Sequence, residues 1–333
     1  MSDMLAQIRS LSDQLRWAID LDPPHIGTFS EVLFAGMGGS GIAGDYAGAV
    51  TRAAGTRVAV HKGYGPIPAW AVRVRPLVIA ASYSGNTEET LDMVTSASES
   101  GLPVATITTG GRLAELTTRH NWPTITVPTG LQPRAAAGYM IGAAVRILEA
   151  SGAVDDQRLA FVETADLAER MVEEGSPAWE QAGSIAGQLA GRIPIIYGGG
   201  PVSSVVAQRW KTQINENAKV PAWYSVLPEL NHNEIVGWET LPDTTNEHFG
   251  VVVLTDEADH DRVRKRVAIT RELTAEAVPW VGEVASSGSS TLARLISLTV
   301  VGDLTSLMLA ERLGVDPAPV ATIEKLKKLL VED

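Results

Sequence analysis

Short apolar runs alternate with polar turns and amphipathic stretches along most of this chain. Val32-Leu-Phe-Ala35, Thr56 to Val60, Leu77 to Ala81, Val104 to Thr108 and Thr124 to Val127 each read as a strand. Runs this continuously apolar belong to parallel strands buried on both faces. Helical stretches lie among them, at Ile42 to Arg52, Glu88 to Ser100 and Leu113 to Thr118, with a small-residue helix at Ala135 to Ala150. Strand alternating with helix predicts an α/β fold with a doubly wound parallel sheet. Ahead of it, Met4, Leu5, Ile8, Leu11, Leu15, Trp17 and Ile19 fall at roughly helical spacing, a lead-in helix ended by Pro23-Pro24.

The pattern breaks at Ser151 to Asp156, runs as helix from Gln157 to Ala190, and then restarts. Ile193 to Tyr197 reads as a strand, Gly198-Gly-Gly-Pro-Val-Ser203 as a glycine-rich turn and Ser204 to Ala218 as a helix. Gly250 to Leu254 and Ala277 to Val281 read as further strands, and Leu292 to Arg312 as a long apolar helix. Two copies of one α/β unit are therefore expected, in domains 1–153 and 154–333, the second opening with the helical connection and closing with a C-terminal helix.

Chemistry concentrates at two strand ends of the first copy. After Leu77 to Ala81 comes Ser82-Tyr-Ser-Gly-Asn-Thr87, and Glu88-Glu89 open the next helix. Hydroxyls at a strand-to-helix turn suit a phosphate, because free N–H groups and the positive helix end point the same way. The same residue types also serve as plain helix caps. After the first strand, Gly36-Met-Gly-Gly-Ser-Gly41 fits G-x-G-x-x-G. A dinucleotide site would want an acidic residue at the end of the second strand, but that strand ends Val58-Ala-Val-His61-Lys62. The P-loop pattern G-x-x-x-x-G-K-[ST] is absent too. What remains is a pair of turns at adjacent strand ends, Gly38, Gly39 and Ser40 with Ser82, Ser84 and Thr87, expected to converge on one sugar phosphate. In the second copy Thr255-Asp-Glu-Ala follows the corresponding strand, and an acidic turn repels phosphate, so one site per chain is expected.

Charge and composition narrow the partners. The 333 residues carry 27 Lys+Arg against 39 Asp+Glu, a net charge of −12, which argues against nucleic acid or an anionic membrane surface. There is no cysteine, so neither disulfides nor thiolate metal sites are expected. The six histidines are scattered without ligand spacing, so no metal is expected. No uninterrupted apolar run of membrane-spanning length and no signal peptide are read, and a cytoplasmic protein is expected.

Ala35-Gly-Met-Gly-Gly-Ser-Gly41, Ser82 to Thr90 and Thr106-Ile-Thr-Thr-Gly-Gly-Arg112 resemble the sugar isomerase (SIS) domain. Gln132-Pro-Arg134, Asn215-Glu-Asn-Ala-Lys219, Leu227-Pro-Glu-Leu-Asn-His-Asn233 and Ile323-Glu-Lys-Leu-Lys327 resemble, more specifically, the bifunctional phosphoglucose/phosphomannose isomerases, collinearly over about residues 30 to 330. The resemblance implies two tandem SIS-type domains and a cofactor-independent aldose–ketose isomerase. It would interconvert fructose 6-phosphate with glucose 6-phosphate, mannose 6-phosphate or both, through a cis-enediolate. It further implies Glu216 as the base that moves the C1/C2 proton and Arg134 as the cation beside the enediolate. His232 would open the sugar ring, contributed across a homodimer interface, with Lys327 as the second ring-opening group and Lys325 and Lys328 close by. Two other readings stand beside it: a non-catalytic sugar-phosphate sensor, since SIS folds also serve as binding modules, and an isomerase of another sugar phosphate.

Overall fold

A computed structural model of the chain describes residues 2–331. These form two compact units that no single cut of the chain separates. The first unit holds residues 9–170 and 286–297; the second holds residues 2–8, 171–285 and 298–331. A division at residue 153 falls inside the first unit.

The lead-in is two helices, α1 (Ser2–Arg9) and α2 (Leu11–Ile19), rather than one. Ser10 sits between them, its hydroxyl accepting from Gln14 Nε2 at 3.0 Å. In the first unit, strands and helices then alternate as β1 (Glu31–Ala35), α3 (Gly38–Thr51), β2 (Arg57–His61), α4 (Ala69–Val74), β3 (Leu77–Ser82) and α5 (Glu88–Glu99). β4 (Val104–Thr108), α6 (Gly111–His120), β5 (Thr124–Thr126), α7 (Ala137–Ala150) and α8 (Arg158–Met171) complete the run. The strands make one parallel sheet in the order β2-β1-β3-β4-β5. Leu33, Val78, Ala80 and Val104 point to one face, where they pack with Met93 and Val94 of α5 and Leu113 of α6. Every residue of β3 and β4 is buried, which is why these strands read as unbroken apolar runs.

The order reverses between β1 and β3, because the chain leaves β1 to one side and β3 to the other. Loops at such a point diverge and open a crevice at the carboxyl ends of the strands. Those two loops are the Gly36–Gly41 and Ser82–Thr87 turns.

The second unit runs α9 (Pro177–Leu189), β6 (Ile193–Gly198), α10 (Ser203–Gln213), β7 (Trp223–Val226), α11 (Pro242–His248), β8 (Phe249–Thr255), α12 (Asp261–Ala275) and β9 (Val281–Ala285). α13 (Thr291–Arg312) begins in the first unit and continues in the second, and α14 (Ala321–Val331) follows it. The parallel sheet, ordered β7-β6-β8-β9, repeats the β2-β1-β3-β4 arrangement of the first. β7 escaped the sequence reading because it is a short edge strand with Trp223 and Tyr224 turned outward. β9 starts where the expected strand at 277–281 ends, since the N–H groups of Ala277 and Val278 are spent on Thr274 O, closing the last turn of α12.

α13 is long and apolar enough to cross a bilayer, yet 89% of that window is buried inside the protein, so its composition is that of a core helix. It is clamped to α10 by polar bonds in the core. Arg209 donates to both carboxylate oxygens of Asp303, at 3.2 and 2.7 Å, Gln213 Nε2 adds a bond at 3.0 Å, and Trp210 Nε1 donates to Leu298 O at 2.9 Å. Removing one partner of a buried pair strands the other charge away from water, at a cost of about 3–5 kcal/mol. Asp303→Ala is therefore expected to lower stability by about that amount in urea unfolding, whereas Asp261→Ala, at an exposed ion pair, should change it by less than about 1 kcal/mol.

Candidate active site

The first-unit turns are built to leave donors unused. Neither α3 nor α5 has a side-chain cap: Met37 and Thr87 occupy the cap positions, and neither side chain bonds the helix. Plain capping therefore does not account for Thr87. Its hydroxyl lies 2.9 Å from Ser82 Oγ, and Ser82 Oγ also accepts from Gly85 N at 3.1 Å. Two hydroxyls sharing one hydrogen bond keep one proton to donate elsewhere. Ser40 Oγ accepts from Tyr83 N at 3.0 Å and Ser84 Oγ from Asn86 N at 3.3 Å, so these hydroxyls also hold a proton in reserve. Uncapped helix ends and spare hydroxyl protons at one sheet edge are an arrangement that suits an anion.

Tyr83 ties this edge together. Its phenol donates to Pro128 O at 3.0 Å and accepts from Leu131 N at 3.2 Å, while its carbonyl takes the hydroxyl and N–H of Thr109, at 2.7 and 3.2 Å. One buried residue thus joins the glycine-rich loop, the Ser82–Thr87 turn, the loop after β4 and the segment leading to Arg134. Gly85 permits the crowding: its φ is +69°, and a Cβ there would lie 1.8 Å from Gly110 O.

Arg134 stands in a turn just before α7, its side chain buried with 4% exposure, so it is not the surface cation that a loop position suggests. The expected helix start at Ala135 is displaced to Ala137 because the N–H groups of Ala135 and Ala136 both close on Gln132 O. A Cβ on Gly39 would meet Pro133 O at 3.0 Å and Arg134 Cα at 3.5 Å. Gly38, Gly39, Ser40, Ser82, Ser84, Thr87 and Arg134 are thereby gathered at one edge of the first unit.

Glu216, His232 and Lys327 stand on three separate elements of the second unit. The helix expected to run from Ser204 to Ala218 gives way after Gln213 to a π-turn, Ile214–Ala218, that carries Glu216 half-buried. Such wide turns recur at functional sites because they re-aim side chains. Asn217 Nδ2 anchors this one to Ser306 Oγ at 2.9 Å, Asn215 Nδ2 bonds Val220 O at 2.8 Å, and Lys219 Nζ donates to the Glu216 carbonyl. His232 ends a 3₁₀ turn, Glu229–His232, with its ring exposed. The next turn is pinned by Tyr197, whose hydroxyl donates to Glu234 Oε1 at 2.8 Å and accepts from Trp238 Nε1 at 3.0 Å. Burial, and then the Glu234 charge, push the Tyr197 phenol far above its usual range, so it is a lasting donor. Lys327 is exposed on α14 between Lys325 and Lys328.

The second unit closes its own version of the anion turn. Gly199 N and Gly200 N donate to Ser203 Oγ, at 2.8 and 3.1 Å. The side of Gly200 that lacks a Cβ is filled by the buried Asp259 carboxylate, since a Cβ there would lie 1.7 Å from Oδ1. An internal carboxylate thus takes the space beside the loop and repels any second anion. Among the described residues no group of three or more His, Asp or Glu is placed to hold a metal ion. Sequence reading missed Tyr83 as a cross-tie although it lies inside the motif, and it missed Tyr197, Glu234, Asp259 and Asp303, whose partners lie far off in the chain.

Fold and turns together define a phosphosugar-binding α/β protein of the sugar isomerase type. The model of the bacterial phospho-glucose isomerase C-terminal SIS domain matches residues 179–330. A tagatose-6-phosphate ketose/aldose isomerase from Escherichia coli superposes with a TM-score of 0.64 at 18% identity, covering 94% of this chain and 91% of that one; at that identity the likeness is one of fold. The bifunctional phosphoglucose/phosphomannose isomerase of Caldicellulosiruptor bescii is 41% identical over 307 residues, 91% of this chain and 90% of its own. That of Aquifex aeolicus is 36% identical over 337 residues, 99% of each. A D-glucosamine-6-phosphate 4-epimerase of Sulfolobus acidocaldarius is 30% identical over 93% of this chain and 92% of its own. The chain belongs to the bifunctional phosphoglucose/phosphomannose isomerase family.

Tyr83→Phe leaves the Leu131 N–H without its acceptor and Pro128 O without its donor. It is expected to cost about 1–3 kcal/mol in urea unfolding and to speed amide exchange at residues 128–134 before it does so in the sheet.

Proposed function

We propose that this chain is a cytoplasmic aldose–ketose isomerase that interconverts fructose 6-phosphate with glucose 6-phosphate and mannose 6-phosphate. The observation that carries the reading is the first-unit edge, where uncapped helix ends and spare hydroxyl protons stand beside a buried arginine. Gly38, Gly39, Ser40, Ser82, Ser84 and Thr87 hold the phosphate dianion. Glu216 takes the proton from C2 of the aldose and returns it to C1, while a proton passes between O1 and O2. The intermediate is a cis-enediolate, whose developing charge Arg134 stabilises. The enediolate is planar at C2, and rotation about C2–C3 presents either of its faces to the single base Glu216, so both epimers are reached. His232 and Lys327 exchange the protons that open the ring. None of these steps needs a metal or an organic cofactor.

A homodimer is part of the proposal, with His232 acting across the interface. Two features support it. α14 leaves Ile323, Leu326, Leu329 and Leu330 exposed along its apolar positions, and Val236 and Leu241 stand exposed just beyond the His232 turn. Apolar side chains grouped in this way are commonly covered by a partner. The Sulfolobus relative, named for an amino-sugar phosphate, favours a second reading, with an amino-sugar phosphate as substrate.

Proton NMR of the protein with fructose 6-phosphate in D2O is expected to show glucose 6-phosphate and mannose 6-phosphate, with deuterium at C2 to the extent that Glu216 exchanges its proton with solvent before returning it; formation of neither aldose phosphate would sink the isomerase reading. Glu216→Gln should abolish turnover while binding of the sugar phosphate stays within about threefold. Refolding a mixture of Glu216→Gln and His232→Ala chains should restore up to about a quarter of wild-type activity, because each mixed dimer regains one intact site. Restoration at background level would place His232 in its own subunit's site.

A further inference from the structure

One side of α12, partly exposed, has no role in the chemistry above. Arg262, Lys265, Arg266, Ile269, Thr270 and Leu273 follow one another at three- and four-residue spacing and so share one side of the helix. With Asn231 and Ile235 they line a cavity of about 330 Å³, near the small end of the range for small-molecule sites.

The charge there is unbalanced. Three cations crowd the first half of a helix, whose N-terminal end is itself positive, and like charges one turn apart repel. Arg264, on the flank of the same helix, is neutralised by Asp261. Among the described residues Arg262 and Lys265 take no carboxylate partner, and Arg266 reaches only the Asn231 amide oxygen, at 3.3 Å. This occurs in a chain with twelve more acidic than basic side chains, where carboxylate partners outnumber the cations. Further along, the face turns apolar: Ile269 and Leu273 remain 45% and 49% exposed. Between the charged and apolar ends Asn231 Nδ2 donates to Thr270 Oγ1 at 2.8 Å, a polar group held in place at the cavity wall.

We propose that this cavity binds a small organic anion, phosphorylated or carboxylated at one end and apolar at the other, as an effector separate from the substrate. The cations would neutralise the head group and Ile235, Ile269 and Leu273 would cover the body. The effector role rests on the assignment of His232. Asn231 precedes it in the same 3₁₀ turn, and an anion that draws Arg266 away from Asn231 Oδ1 loosens that turn.

Phenyl phosphate is the probe, titrated by calorimetry into the full-length protein already equilibrated with saturating hexose 6-phosphate. Saturable binding is expected to persist, to be tighter than that of inorganic phosphate, and to weaken by about tenfold or more in Arg262→Gln/Lys265→Gln, both positions being exposed. Arg264→Gln should leave it unchanged. Full displacement by the sugar phosphate, equal weakening in Arg264→Gln, or no saturable binding at millimolar probe would each overturn the site. Phenyl phosphate should also change kcat at saturating sugar phosphate in the wild type and not in the double variant; binding with kcat unchanged overturns the effector role. The calorimetric arm reads no turnover, so its failure is separate from any failure of the isomerase reading.

Discussion

Helices α3 and α5 both start at the carboxyl edge of the first sheet, on either side of the point where strand order reverses, and both start without a capping side chain. A helix start leaves N–H groups with no partner inside the helix, and those groups must be met by solvent, side chains or a ligand. The surrounding contacts follow from that constraint. Ser82 and Thr87 spend their hydroxyls on each other and on Gly85 instead of on the helix. Tyr83 takes up the bonds that would otherwise hold the neighbouring loops, so the turn can stay open without being loose.

The second unit meets the same constraint in the opposite way. Its sheet has the same local order and its glycine-rich loop the same place at the switch point, but Ser203 satisfies the loop N–H groups and Asp259 fills the space beside Gly200. One duplicated architecture therefore yields one turn left open and one closed from within. The second unit also carries the π-turn of Glu216 and the 3₁₀ turn of His232. Both are braced by bonds between residues distant in sequence: Asn217 to Ser306, and Tyr197 to Glu234 and Trp238.

Buried polar bonds fix the register of these elements. The Arg209–Asp303 pair with Gln213 fixes α10 against α13 immediately before the chain widens into the π-turn. Apolar contacts tolerate sliding by a fraction of a turn, whereas a fork-shaped guanidinium on a carboxylate does not. The half-buried Glu216 thus follows a rigid stem.

Strands β1, β3 and β4 and the glycine- and hydroxyl-rich turns that follow β1 and β3 were legible from the residues alone, because a parallel strand buried on both faces must be apolar throughout, and a tight strand-to-helix turn must carry glycine and small polar residues. Those are local demands that leave a mark on consecutive residues. Edge strand β7 left none, being half exposed, and the close of α12 hid the start of β9. Nothing local could tell that Thr87 bonds Ser82 and leaves its helix uncapped, that Arg134 is buried, or that Asp259, some sixty residues from Gly200, plugs the second loop. The chemistry of each residue is written in its type, but which donors are spent and which remain free is decided only when distant segments meet.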